Sequence, residues 1–355
     1  MIIQTTANFF TRVMQRWLPD AFIFAVIITF IVFVCGVVTQ GQSPMAMTEH
    51  WGGGVWNLLT FAMQVTITLV SGHVLAQTPL VRKSLQGIAG LAKTPGQAIM
   101  LMTAIALVAC WINWGFGLIA SALLAKEIAR RVRGVHYALL VASAYSGMLI
   151  WHAGLSGSIP LKIATNDGGI ISQIMQGQTV SVSETIFSWP VLIICLLLMV
   201  TLPFLNRLMM PNAEDVKEID VHKLAVPEAP LLDRSTMTPA ERIENSMAVS
   251  LFIGALGGAY LIRYFMQGGS LSLNTINLIF LVLGFLLHKT PANYLRSLED
   301  AIKGTAGIVL QFPLYAGIMG MMVGSGLAVA MSEWFVSISN ATTFPLFTFL
   351  SAGIV

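Results

Sequence analysis

The sequence predicts an all-α polytopic membrane protein with the plan of an inverted-repeat secondary transporter. The plan includes a re-entrant hairpin, broken helices and an incomplete second repeat. Three observations predict it. Charged residues make up 10% of the 355 residues and hydrophobic ones 56%, with a mean hydropathy of +0.78. A soluble domain carries about 25% charged residues. Apolar runs long enough to span a bilayer recur along the chain. Finally, proline-bearing segments echo one another far apart in sequence.

The elements follow in order. Residues 5–17 read as an amphipathic helix on the membrane surface, within an N-terminal interfacial segment 1–19. Pro19 and Asp20 suit the start of the first span. Spans are expected near 20–40, 55–77, 96–125, 137–165, 187–206, 246–266, 272–288, 304–329 and from 344. No small-residue cleavage site follows the Phe22–Val38 run, so it is a retained span rather than a signal peptide. Residues 20–206 form the first repeat. The polar stretch 207–245, with Pro211, Pro227, Pro230 and Pro239, is a solvent-exposed cytoplasmic linker. Residues 246–355 supply a linking span and a partial second repeat. Cys35, Cys110 and Cys195 lie in apolar stretches without a CxxC pair and read as packing residues.

Charge sets the orientation. With the N-terminus in the cytoplasm, all but Lys162 and Arg263 of the 19 Lys and Arg residues fall on the cytoplasmic side, as the positive-inside rule requires. This works only if residues 96–125 enter and leave on one side. A straight helix there would be about 45 Å long, against an apolar core of about 30 Å. A hairpin with its tip at Asn113–Gly117 satisfies both length and charge.

The echo pairs Pro44 and Gln64 with Pro291 and Gln311, and Pro95 with Pro345. Five crossings between the copies would invert the second. Inverted repeats with broken helices at the midplane are the plan of secondary transporters. By the same offset, the counterpart of Asn113 would fall beyond residue 355, so a C-terminally truncated second copy is expected.

Two stretches can carry binding chemistry. "CWINWGFG" (110–117) and "WHAGLSGSIP" (151–160) place Gly, Ser, Asn and Pro inside apolar sequence. Backbone freed at such breaks can bind carboxylates through N–H groups or Na⁺ through carbonyls. The expected substrate contacts are Asn113, Trp114, Gly115, Gly117, Ser156, Gly157 and Ser158, with Trp114, Phe116 or Trp151 walling an aliphatic tail. His152 and Lys162 are candidates for proton or charge coupling; a neutral polar contact and snorkelling are their plainer roles. Gln64 and Gln311 read as helix–helix hydrogen bonders, His73 and Arg263 as interfacial, and the Met-rich 317–324 as packing. Trp17, Trp51, Trp56, Trp189 and Trp334 read as an interfacial belt. No HExxH, Walker loop or GxSxG is present, and no span pairs two carboxylates, Asp167 and Glu184 falling in an external loop. No enzyme is indicated, and neither a cofactor nor a metal site is expected beyond Na⁺ as a coupling ion.

At "RWLPDAFIFA", "INWGFGLI", "AGLSGSIPL", "LLHKTP" and "GIVLQFPLYAGI" the chain resembles the bacterial short-chain fatty acid transporters of the ion transporter superfamily, over residues 10–355. The resemblance implies uptake of short carboxylates such as acetoacetate or butyrate at the bacterial inner membrane, by Na⁺ or H⁺ symport. The family continues with a Pro-Ser-Gly-Gly-Gly type segment and further spans, which agrees with truncation. The other readings are an antiporter or exporter of another organic anion, or a non-transporting fragment. The partners are a short-chain carboxylate and the bilayer, with a homo-oligomer left open and no nucleic acid.

Overall fold

The computed structural model describes residues 2–354, apart from 167, 169–171, 173–174 and 225–236. Side chains at 2, 3, 223 and 352–354 are also outside the description. Asp167, Pro227 and Pro230, placed in loops above, therefore lie outside the described residues.

In chain order the helices are α1 Ile2–Trp17, α2 Ala21–Gln40, α3 Pro44–Gly54, α4 Leu59–Ala76, α5 Pro79–Ala89, α6 Pro95–Ile112, α7 Trp114–Arg131 and α8 Tyr137–Tyr145. A 3₁₀ turn at Ser146–Ala153 leads into α9 Ser158–Ile163. Then come α10 Trp189–Leu208, α11 Pro239–Glu244, α12 Met247–Met266, α13 Leu273–His288, α14 Pro291–Ile302, α15 Ala306–Gly324, α16 Leu327–Ser337 and α17 Phe344–Ile354. No strand occurs among the described residues. Seven helical segments there are long and apolar enough to cross a membrane. Their outward faces are apolar, as lipid requires: Phe30 is 68% exposed, Leu196 64% and Met266 82%. The fold is that of an all-helical, multi-pass membrane protein.

The Ser/Thr-Pro pairs are helix starts. Ser43, Thr78, Thr94 and Thr290 each accept the N–H three residues on, with proline in the first turn. There the missing proline N–H costs nothing, and the hydroxyl satisfies one orphan donor. Helix starts also repeat. α3 and α14 begin at Pro44 and Pro291, and α4 and α15 at Leu59 and Ala306, both 247 residues apart.

Contacts divide the chain into two units, Met1–Arg16 with Gln64–Thr305, and Trp17–Met63 with Ala306–Val355. In the second unit, α2, α3, α15 and α16 pack around Met47, Met321 and Met322. The Met-rich stretch is thus packing, as expected. Gly54 of α3 meets Gly320 of α15 so closely that a Cβ on Gly54 would stand 2.8 Å from the Gly320 Cα. Trp51 departs from the belt reading. It packs against Gly317, and its indole N–H is buried without a partner. Trp17, Trp56, Trp189 and Trp334 are all more than half exposed.

In the first unit, α6 and α7 fold back on each other over a core of Ile99, Met102, Leu124 and Ile128. A Cβ on Gly134 would lie 3.5 Å from the Pro95 ring, so the hairpin returns to the end where it began. α10 covers α6 through Leu107, Cys195 and Leu202, and Asn206 donates to the hydroxyls of Thr103 and Ser146, each at 3.0 Å. The described start of the stretch 207–245 makes contacts of its own. Lys217 N–H donates to His136 Nδ1 at 3.0 Å, Tyr137 N–H to the Lys217 carbonyl at 3.0 Å and Gly134 N–H to Glu218 at 2.6 Å. Its first part is bound to the loop between α7 and α8.

Candidate binding site at two helix breaks

The hairpin tip is a single residue. Asn113, with φ −158° and ψ 123°, ends α6 and starts α7. Its Oδ1 accepts the Phe116 N–H at 2.9 Å and its carbonyl accepts the Gly117 N–H at 2.7 Å. A short side chain that caps its own helix lets the chain reverse with no loop. The second break is longer. The 3₁₀ turn ends at Gly154, whose backbone is extended, and α9 restarts at Ser158.

The breaks meet. Leu155 N–H donates to the Trp111 carbonyl at 2.7 Å, and Trp114 N–H donates to Ser156 Oγ at 2.9 Å. Glycine is required at Gly154 because a Cβ there would collide with the Trp111 carbonyl. Part of the backbone at the breaks is taken up within the protein: groups of Trp111, Trp114, Leu155 and Phe116 are bonded across the gap or to a cap. In lipid an unpaired backbone group costs several kcal/mol, so two breaks that satisfy each other are the cheaper arrangement.

A side-chain donor at the contact is unpartnered. Asn113 is fully buried, and its Nδ2 has no hydrogen-bond partner. The Phe116 N–H fixes which way the amide points, because only the oxygen can accept it. A buried donor without a partner costs about 1–3 kcal/mol.

The expected site residues fall into three groups. Asn113, Trp114 and Ser156 come together at the contact. Gly115 and Gly117 are buried packing positions. A Cβ on Gly115 would stand 2.7 Å from Leu69 Cα and 2.8 Å from the Thr68 carbonyl, and one on Gly117 would meet Cys110. Gly157 packs on the His152 carbonyl, and Ser158 is buried at the start of α9. His152 is exposed, its ring 3.8 Å from that of Trp151. Lys162 is 7% exposed, so it is buried rather than extended toward a headgroup. Trp114 and Trp151 meet edge to face at 5.4 Å, and Phe116 lies 6.4 Å from Phe280 of α13. An open groove of about 490 Å³ lies elsewhere, between α6 and α10.

Sequence reasoning missed the elements that press on this tip. Gly72 of α4 lies against it, such that a Cβ there would stand 2.6 Å from Asn113 Oδ1. One and two turns back on the same face, Thr68 and Gln64 bond to Asn277 and Asn274 of α13. Gln64 was expected to make helix–helix hydrogen bonds and does. The signal in sequence was the i, i+4, i+8 spacing of Gln64, Thr68 and Gly72 in an apolar helix.

The chain as a whole matches the family model described as short chain fatty acid transporter, over residues 2–355. It is 44% identical over 357 residues to an Escherichia coli K12 protein, covering 100% of this chain and 80% of that one. To a Haemophilus influenzae Rd protein it is 41% identical over 363 residues, with the same coverage. Both relatives carry the name "Putative short-chain fatty acid transporter". No solved structure matches the chain. The matches take in the whole of this chain and 80% of the length of each relative. The family is one of transporters and not of enzymes, and this chain belongs to it: it is a member of the short chain fatty acid transporter family.

Proposed function

We propose that the chain carries short-chain carboxylates, of the acetoacetate and butyrate type, into the cell across the bacterial inner membrane, with its N-terminus in the cytoplasm. The observation that carries this reading is the fully buried Asn113, whose Nδ2 has no partner at the contact of two helix breaks. A carboxylate needs N–H donors, and a short aliphatic tail needs an apolar wall. Asn113 supplies the first, and Trp114, Trp151 and Phe116 the second. Ser156, Gly157 and Ser158 complete the second break, while Gly115 and Gly117 let the tip pack tightly. The paired helix starts support a repeat, which we read as inverted.

Uptake of an anion runs against the membrane potential by about 2.3 kcal/mol per charge per 100 mV. Symport with a cation, Na⁺ or H⁺, overcomes that cost. His152 and Lys162 flank the second break and are the titratable candidates for a proton route. The relatives' printed names support the substrate class. The test is uptake of labelled butyrate by proteoliposomes holding the purified chain. Uptake that falls in Asn113→Ala and Ser156→Ala, with both proteins inserted, is expected. Unchanged uptake in both variants sinks the site, and counterflow only with other organic anions sinks the substrate class.

A further inference from the structure

Two buried amide atoms in the first unit lack partners, and they have opposite hydrogen-bonding sense. Asn113 Nδ2 is a donor, and Gln64 Oε1 is an acceptor. Gln64 is 8% exposed and Asn113 fully buried. Gln64, Thr68 and Gly72 share one face of α4, two turns of helix from the first to the last, and Gly72 touches the hairpin tip. A donor that lacks a partner takes an anion; an acceptor that lacks one takes a cation or a proton donor.

Gln64 sits in a small polar cluster between α4 and α13. Gln64 Nε2 donates to Asn274 Oδ1 at 2.9 Å. Thr68 Oγ1 donates to Asn277 Oδ1 at 2.7 Å and lies 2.9 Å from the Gln64 carbonyl. Asn277 Nδ2 also donates to the Gln64 carbonyl at 2.9 Å. The side chains of this cluster are amides and a hydroxyl. Hard cations are held by oxygen ligands, and a set without a carboxylate cannot balance the charge of a divalent ion in a low-dielectric interior. A monovalent cation fits, and the carboxylate proposed at Asn113, the tip that Gly72 of α4 touches, would balance its charge.

We propose that Gln64, Thr68, Asn274 and Asn277 form a sodium site between α4 and α13, with Gln64 Oε1 as its open ligand. Sodium there and carboxylate at Asn113 are joined through one face of α4, so each favours the binding of the other. The plain alternative is a helix–helix clamp in which the amides only bond to each other. A clamp satisfies Asn277 at both ends and leaves Gln64 Oε1 unused, whereas a cation uses it.

The proposal rests on the transport reading for its role but is measured without it. The melting temperature of the purified chain is followed as NaCl replaces KCl or choline chloride at constant ionic strength, with no substrate added. Sodium is expected to raise it in the native chain. In Gln64→Met, which keeps the side-chain length and removes the oxygen, the sodium midpoint shifts upward by about tenfold or more. Thr68→Val gives a shift in the same direction, so the test survives if Gln64→Met fails to fold. No stabilisation by sodium in the native chain, or the same midpoint in native and variant chains, overturns the site. If sodium binds in this way and labelled butyrate is not carried, the transport reading fails and the sodium site stands. If butyrate is carried with no sodium response, the reverse holds.

Discussion

α4 and α15 begin 247 residues apart and carry glutamine at matching places, Gln64 and Gln311, yet they are used differently. In α4 the glutamine is buried and bonds to Asn274 of another helix. In α15 it is half-buried and takes its bond from Tyr315, one turn along its own helix, at 3.3 Å. One and two turns on from Gln64 come Thr68 and Gly72, a hydroxyl and a bare backbone. The matching places in α15 are Tyr315 and Met319. α4 therefore presents a polar seam, and α15 an apolar one of Gly317, Gly320 and Met321 against α3. Glycine-rich close approach occurs in both units. A buried amide atom without a partner occurs, among the described residues, only along the α4 seam and the tip it touches. Glycine density marks tight packing in both seams, and the unpartnered amide is what sets the α4 seam apart.

Four variants sharpen that contrast. The largest effect is expected from Gly72→Val, which drives a branched side chain into Phe116 N–H and Asn113. Overpacking of this kind costs about 1–3 kcal/mol or more, and here it also displaces the tip. Thermal unfolding in detergent should show a clear loss together with lost butyrate uptake. Gly320→Ala in α15 puts a methyl against the His50 carbonyl and Gly54. It should destabilise to a similar or smaller degree, about 1–3 kcal/mol, while the uptake per folded molecule stays unchanged. A loss of uptake beyond the folded fraction would blur the two seams. Ser156→Ala leaves the buried Trp114 N–H without its acceptor, at about 1–3 kcal/mol, again read by thermal unfolding. The smallest effect belongs to Gln311→Met, the matched control for Gln64→Met. Its bond is local, so a change within about 0.5 kcal/mol is expected, with no shift in the response to sodium.

Much of this was legible in sequence because lipid leaves so few options. Composition gave the membrane class. The length and charge argument placed the turn at Asn113–Gly117, and the structure turns there, at Asn113. The Ser/Thr-Pro pairs marked helix starts through local chemistry alone. The pairing of distant elements was not legible. Nothing local says that Leu155 will donate to Trp111, or that α13 will bring Asn274 and Asn277 to Gln64, some 210 residues away. For that reason the breaks looked like open backbone when read singly. Read together, they bond to each other from Leu155 to Trp111 and from Trp114 to Ser156, with the buried, unpartnered Asn113 amide N–H beside that contact. Trp51 illustrates the same limit. A tryptophan near a predicted interface reads as a belt residue until a glycine on another helix makes room for it.

The account turns on Asn113 Nδ2 as the donor to a carboxylate, and Asn113→Asp tests it most directly. The aspartate keeps the oxygen that accepts the Phe116 N–H, so the cap and the tip survive. The donor is replaced by an oxygen that repels an anion. A hydrogen bond to a charged group contributes about 1.5–3 kcal/mol, so initial butyrate uptake at low substrate should fall by roughly tenfold or more. Burying a carboxyl at this position has a stability cost of its own, so uptake is compared per folded molecule, with the folded fraction read by thermal unfolding. Native uptake in a folded Asn113→Asp protein would contradict the account.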